Sequence, residues 1–200
     1  MGITAARLRR SFLRALAIGV LTAVPFAGTA VAETILVAAD AGARGASVAG
    51  NKVYRTVAAE VIAQLEKARY TVIEPEGIPN QYLPRRRRPS AEDWVHVFNR
   101  NVPKMDGLVT ITVVNRVIRS TAANVSSIDL MAEIYRHGSK KPIAVIDIPS
   151  TEDAPMKQGC FGPCMMRILS ENVAGAAKKL GKQVLRGLKG QKIEKQYRGK

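Results

Sequence analysis

Between two short apolar runs, residues 33–40 (ETILVAAD) and 70–75 (YTVIEP), Val53, Val57, Val61 and Leu65 recur every four residues, with Tyr54, Ala58 and Ile62 beside them. That spacing stacks apolar side chains along one face of an α-helix. Asn51, just ahead, offers a side-chain oxygen to the unpaired N–H groups of a first helical turn. Pro75 stops the second run, because proline cannot donate to a sheet ladder. Strand, helix and strand in this order form a parallel pair joined by a right-handed crossover. The chain is therefore built on a sheet with helices packed against it.

The rest of the chain extends that sheet. Residues 75–89 (PEGIPNQYLPRRRRP) read as a loop from their four prolines and their run of arginines. Ser90 is placed to cap a short helix over AEDWVHVFNRNV, whose apolar face is Trp94, Val95 and Phe98. Residues 106–120 form a long apolar strand. Ile128, Leu130, Ala132 and Ile134 then alternate with Ser127, Asp129, Met131 and Glu133, which gives one buried and one wet face. Residues 141–149 (KPIAVIDIP) make a third strand, and connections this short allow only an antiparallel meander. Met165, Leu169, Val173, Leu180, Val184 and Leu188 share one face of a closing helix. The expected fold is a single α/β sandwich domain over residues 33–189. It has a mixed sheet of about five strands in the order β-α-β-α-β-β-β-α, with two long helices and one short one. Residues 190–200 are expected to be a basic, disordered tail.

The first 32 residues stand apart. They carry four arginines and no acid, then an apolar run from Ala15, then Ala30-Val31-Ala32. This is the layout of a signal peptide, with cleavage expected after Ala32. A transmembrane anchor would need about 20 apolar residues, and here Pro25 and Gly28 interrupt the run. Arg9 and Arg10, followed by Phe12, Leu13 and Arg14, resemble the twin-arginine export signal. Either export route leads to the periplasm, an oxidising compartment. Beyond the leader, 27 basic residues face 16 acidic ones, a net charge of +11. Much of the excess is clustered, at Arg85 to Arg88 and again from Lys178 to Lys200. Clustered cations attract polyanions, which in that compartment are anionic lipids, lipopolysaccharide and wall polymers. Nucleic acid is not an expected partner, since no aromatic residues are interleaved with the arginines to stack on bases.

Three stretches carry a resemblance. YRTVAAEVIAQLEKARYTVIEP, MDGLVTITVVNRV and VAGAAKKLGKQVLRGL resemble the first helix, the approach to the meander and the last helix of one envelope family. That family includes the curli-export lipoprotein, the lipoprotein activators of peptidoglycan synthases and a flagellar-ring protein. The resemblance implies a binding role in assembling or regulating an envelope structure, with an envelope protein as partner, and brings no catalytic residues. This chain departs from the pattern in having no lipid-accepting cysteine at the end of its leader, and in its Cys160/Cys164 pair.

The candidate chemistry is sparse. Gly45, Gly50 and Lys52 fall near a phosphate-cradling loop, but Asn51 intervenes and Val53 stands where the motif needs a hydroxyl. His96 and His137 lie on different elements, each expected to face solvent. With no activated-nucleophile motif and no telling pair of acids, a non-enzyme without a cofactor is expected. Arg85, Arg86, Arg87 and Arg88, held between Pro84 and Pro89, present guanidinium forks suited to phosphate or carboxylate. Cys160 and Cys164 are the only cysteines. In an oxidising compartment they are expected to form a disulfide that pins residues 150–164 to the start of the last helix. The alternative is a copper or thiol-redox carrier, in which Cys160, Cys164, Met165 and Met166 offer the soft ligands that suit Cu(I).

Overall fold

The computed structural model describes residues 32–119, 124–149, 154–156 and 163–193. Strand β1 (Thr34–Ala39) leads to helix α1 (Lys52–Lys67), strand β2 (Thr71–Ile73) and helix α2 (Ala91–Arg100). Strands β3 (Gly107–Arg119), β4 (Asn124–Arg136), β5 (Ala144–Ile148) and β6 (Ala154–Met156) follow, and helix α3 (Pro163–Leu188) closes the order. The sheet runs β2-β1-β3-β4-β5, with β6 also paired to β4. β1 is parallel to both β2 and β3, whereas β3, β4 and β5 form the expected antiparallel meander.

Both predicted caps form. The Asn51 side chain accepts from the N–H of Val53 at 2.8 Å. Ser90 accepts from the Asp93 N–H, while the Asp93 carboxylate accepts from the Ser90 N–H at 2.8 Å, which closes a capping box. That backbone bond, with smaller help from the Ser90 hydroxyl and the Arg86 charge, holds the Asp93 carboxyl below its ordinary range.

The sheet buries both faces, unequally. Alternate residues of β1, β3 and β4, among them Val37, Ile111, Leu130 and Ile134, meet α1 and α3 in the larger core. In α3, Leu169, Val173, Leu180, Val184 and Leu188 are buried, the face expected from their spacing. On the opposite face Leu36, Leu108 and Tyr135 pack against Trp94, Val97 and Phe98 of α2. Burial of Val97 widens the short helix's apolar face beyond the three residues its spacing picked out.

Three features depart from or refine the expectation. Residues 154–156 pair with β4 as a sixth, three-residue strand, beyond the roughly five expected. Two single 3₁₀ turns, Pro75–Gly77 and Asn80–Tyr82, interrupt the proline-rich loop. Past Gly190 the chain stays against the domain as far as Ile193, which packs on the larger core. Arg136 also ties distant elements together. Its guanidinium donates to the Leu188 carbonyl at 2.8 Å and pairs with Glu33 at 3.0 Å, placing a cation at the C-terminus of α3.

Candidate ligand-binding cleft

The topology creates a crevice where β1 ends. From β1 the chain crosses on the α1 face to β2, then returns on the α2 face to β3, on β1's other side. Strand order thus reverses at the carboxyl end of β1, the place where open α/β sheets characteristically hold ligands. Asp40 stands there, buried. Its carboxylate accepts from the Thr112 hydroxyl on β3 at 3.0 Å and from the Gly42 N–H at 3.1 Å. The loop after it therefore starts in a fixed direction.

That loop is tied to its neighbours on every side. The Ala41 N–H donates to the Pro89 carbonyl at 2.8 Å, and the Ser47 N–H to the Val113 carbonyl at 2.8 Å. Arg88 donates from Nε to the Ala41 carbonyl (3.1 Å) and from Nη2 to the Ala46 carbonyl (2.7 Å). Trp94 on α2 donates from its ring nitrogen to the Ala39 carbonyl at 2.8 Å. Gly42 lies so close to Ser90 that a Cβ there would stand 2.7 Å from the Ser90 Cβ and 3.0 Å from its Cα. Only a residue without a side chain lets the loop lean on the N-cap of α2.

An open cleft of about 840 Å³ lies between this loop, the start of α2 and the β4–β5 turn. Arg44, Arg86, Arg88, Lys140 and Lys141 line it, together with Asp40, Glu92, Glu133 and Tyr135. Cations outnumber acids, and two of the acids are already engaged: Asp40 as above, and Glu133 by the Tyr135 hydroxyl at 2.5 Å. Burial first, then the Glu133 hydrogen bond and charge, push the Tyr135 phenol well above its ordinary range, so it stays a neutral donor. Thr110, opposite Glu133 in the β3–β4 ladder, has a buried hydroxyl with no partner among the described residues. A smaller hollow of about 300 Å³ shares Glu92, Tyr135 and Lys140 and extends along α2 past His96 and Asn99.

The arginine block divides in this setting. Arg88 spends its donors on the loop carbonyls. Arg86 faces the cleft and pairs with Asp93 at 3.7 Å. Arg85 lines a separate hollow with Arg100 and His96, and Arg87 is exposed. The cleft instead joins Arg86 to Arg44, Lys140 and Lys141, which drew no notice in the sequence because roughly 40 to 55 residues separate the three segments, a non-local pairing that only folding makes. His96 and His137 are both exposed, as expected. Among the described residues no cluster of histidine, cysteine or acidic side chains could hold a metal ion, and no cysteine is free. Cys164 is the second residue of α3. Cys160, the side chains of Met165 and Met166, and the leader residues Arg9, Arg10, Phe12 and Leu13 lie outside what the structure describes. No helix among the described residues is long and apolar enough to cross a membrane.

No protein-family model matches the chain, and no curated protein does. Among solved structures it is similar to lipoprotein GNA1162 from Neisseria meningitidis, at 14% identity and a TM-score of 0.41, over 72% of this chain and 96% of that one. It is also similar to the hypothetical protein CT253 from Chlamydia trachomatis, at 10% identity and a TM-score of 0.40, over 80% and 96%. A third similarity is to a putative neuraminyllactose-binding hemagglutinin homolog from Helicobacter pylori, at 13% identity and a TM-score of 0.44, over 80% and 89%.

Proposed function

We propose that this chain is a non-catalytic accessory protein of a bacterial cell envelope, exported to the periplasm, which works by binding an anionic group on an envelope polymer, a lipid surface or a protein partner. One observation carries the reading: three segments far apart in sequence bring Arg44, Arg86, Lys140 and Lys141 to one cleft, which runs from the loop after β1 past Glu133 and Tyr135 of β4 to the β4–β5 turn. Arginine supplies flat forks and lysine a compact charge, which together suit phosphate and carboxylate. The leader pattern of residues 1–32 supports the compartment.

Co-sedimentation with phosphatidylglycerol vesicles and with lipopolysaccharide tests the reading. Binding is expected at low salt, weakening as salt screens the charges. Changing Arg44, Arg86, Lys140 and Lys141 together to glutamine should reduce it severalfold and flatten the salt dependence. Absence of binding to either surface at low salt would leave a wall polymer or the protein partner. Equal binding by the glutamine variant would place the anion site elsewhere.

A further inference from the structure

The cleft is not uniformly cationic, and its mixed charge narrows what can fill it. A flat anionic surface would be served by exposed lysines and arginines alone, and it would be repelled by carboxylates set among them. Here Glu133 and Glu92 line the same concavity as Arg44, Arg86, Lys140 and Lys141. Glu133 engages Tyr135 through Oε2, which leaves Oε1 as an acceptor. Glu92 stands in the exposed first turn of α2, and Lys140 lines both the main cleft and the hollow that Glu92 shares. The two walls that carry Arg44, Arg86 and Glu92 are tied to each other through Arg88, Ala41 and Ser90.

We infer that the cleft takes a small zwitterionic group, an ammonium a few bonds from a phosphate, with Arg44, Arg86, Lys140 and Lys141 on the anion and Glu133 and Glu92 on the ammonium. The inference rests on the proposed use of this cleft for binding and adds the ligand's second, positive end. Glu133 is half-buried beside the buried Tyr135, so its second oxygen favours a ligand that brings a charged donor to it over one that brings none. The same headgroup could be free, linked to a glycan or displayed by a membrane lipid.

Titration calorimetry on the purified full chain would use inorganic phosphate, ethanolamine and O-phosphoethanolamine as probes. O-phosphoethanolamine should bind about tenfold more tightly than phosphate, the effect of one charged hydrogen bond. Glu133→Gln should bring the two affinities together while phosphate binding persists, and Glu92→Gln, on the exposed first turn of α2, should do so in part. Arg44→Gln with Lys140→Gln should weaken both ligands. Binding of phosphatidylethanolamine vesicles would identify a lipid headgroup as the source, and binding of the free probe without the vesicles would identify a soluble or glycan-linked one. Equal affinity for phosphate and O-phosphoethanolamine would overturn the inference. Binding to phosphatidylglycerol vesicles with no affinity for the small probes would also overturn it, and would leave the proposed function standing. Failure of both vesicles and probes would overturn the inference and leave the proposed function only its wall-polymer and protein-partner forms.

Discussion

Arg88 and Arg87 are neighbours of one chemical type with different work. Arg88 holds the Ala41 and Ala46 carbonyls, while Arg87 is exposed. Arg88→Gln is therefore expected to lower stability by about 1 kcal/mol, and Arg87→Gln to stay within about 0.5 kcal/mol of the parent, as read from thermal or urea denaturation. Equal effects would show that the bonds to the loop add nothing. Tyr135 makes a pH-dependent prediction. Its folded-state pKa lies above the ordinary 10.0, so the folded protein keeps a proton that the unfolded chain gives up first. That contribution is complete below pH 10 and declines as the pH rises further. Tyr135→Phe should flatten the alkaline limb of the stability profile, and an unchanged limb would assign it to other groups, such as buried Tyr54, whose pKa is also raised. The arginine run was visible in the sequence as charge. Its division into a strut, a cleft residue and exposed residues was not, because that depends on which carbonyls lie within reach after folding.

At the scale of elements, the sequence carried most of the fold. Four-residue apolar spacing marked α1 and α3, alternation marked β4, and Asn51 and Ser90 marked two helix starts. Such signals are local, so they survive without knowledge of neighbours. Strand β6 escaped notice because three residues containing Pro155 are too few to show a period, and they pair only because β4 extends beyond β5. The bond from Arg136 to the end of α3 joins residues 52 apart and leaves no local trace. The start of α3 bears the cysteine prediction. Protein isolated from the periplasm should show no reactive thiols and an intact mass about 2 Da below the reduced form, as a disulfide requires. The double Cys160→Ser, Cys164→Ser variant should still fold, losing about 2 kcal/mol, the chain-entropy value for so small a ring. Copper(I) should bind only after reduction. Stoichiometric metal or two reactive thiols in unreduced protein would favour the carrier reading.

Across the whole molecule, cations cluster in the proposed export leader and at the cleft. If residues 9–14 form a twin-arginine signal, changing Arg9 and Arg10 to lysine should stop export, because the receptor reads the arginine pair. Secretion unaffected by that change, but blocked with the general pathway, would assign the leader to the other route. The strand order β2-β1-β3-β4-β5 was only partly legible. Parallel pairing of β1 with β2 followed from the crossover, and the meander from its short turns. Insertion of β1 between β2 and β3 is a long-range choice, and it opens the crevice at the end of β1 that the cleft adjoins. The loop after β1 is bonded at both ends to β3, through the Asp40 N–H on the Ile111 carbonyl and the Ser47 N–H on the Val113 carbonyl. In heavy water the amide protons of Asp40 and Ser47 should consequently exchange on the slow timescale of the β1–β3 ladder, since freeing them requires the sheet itself to open.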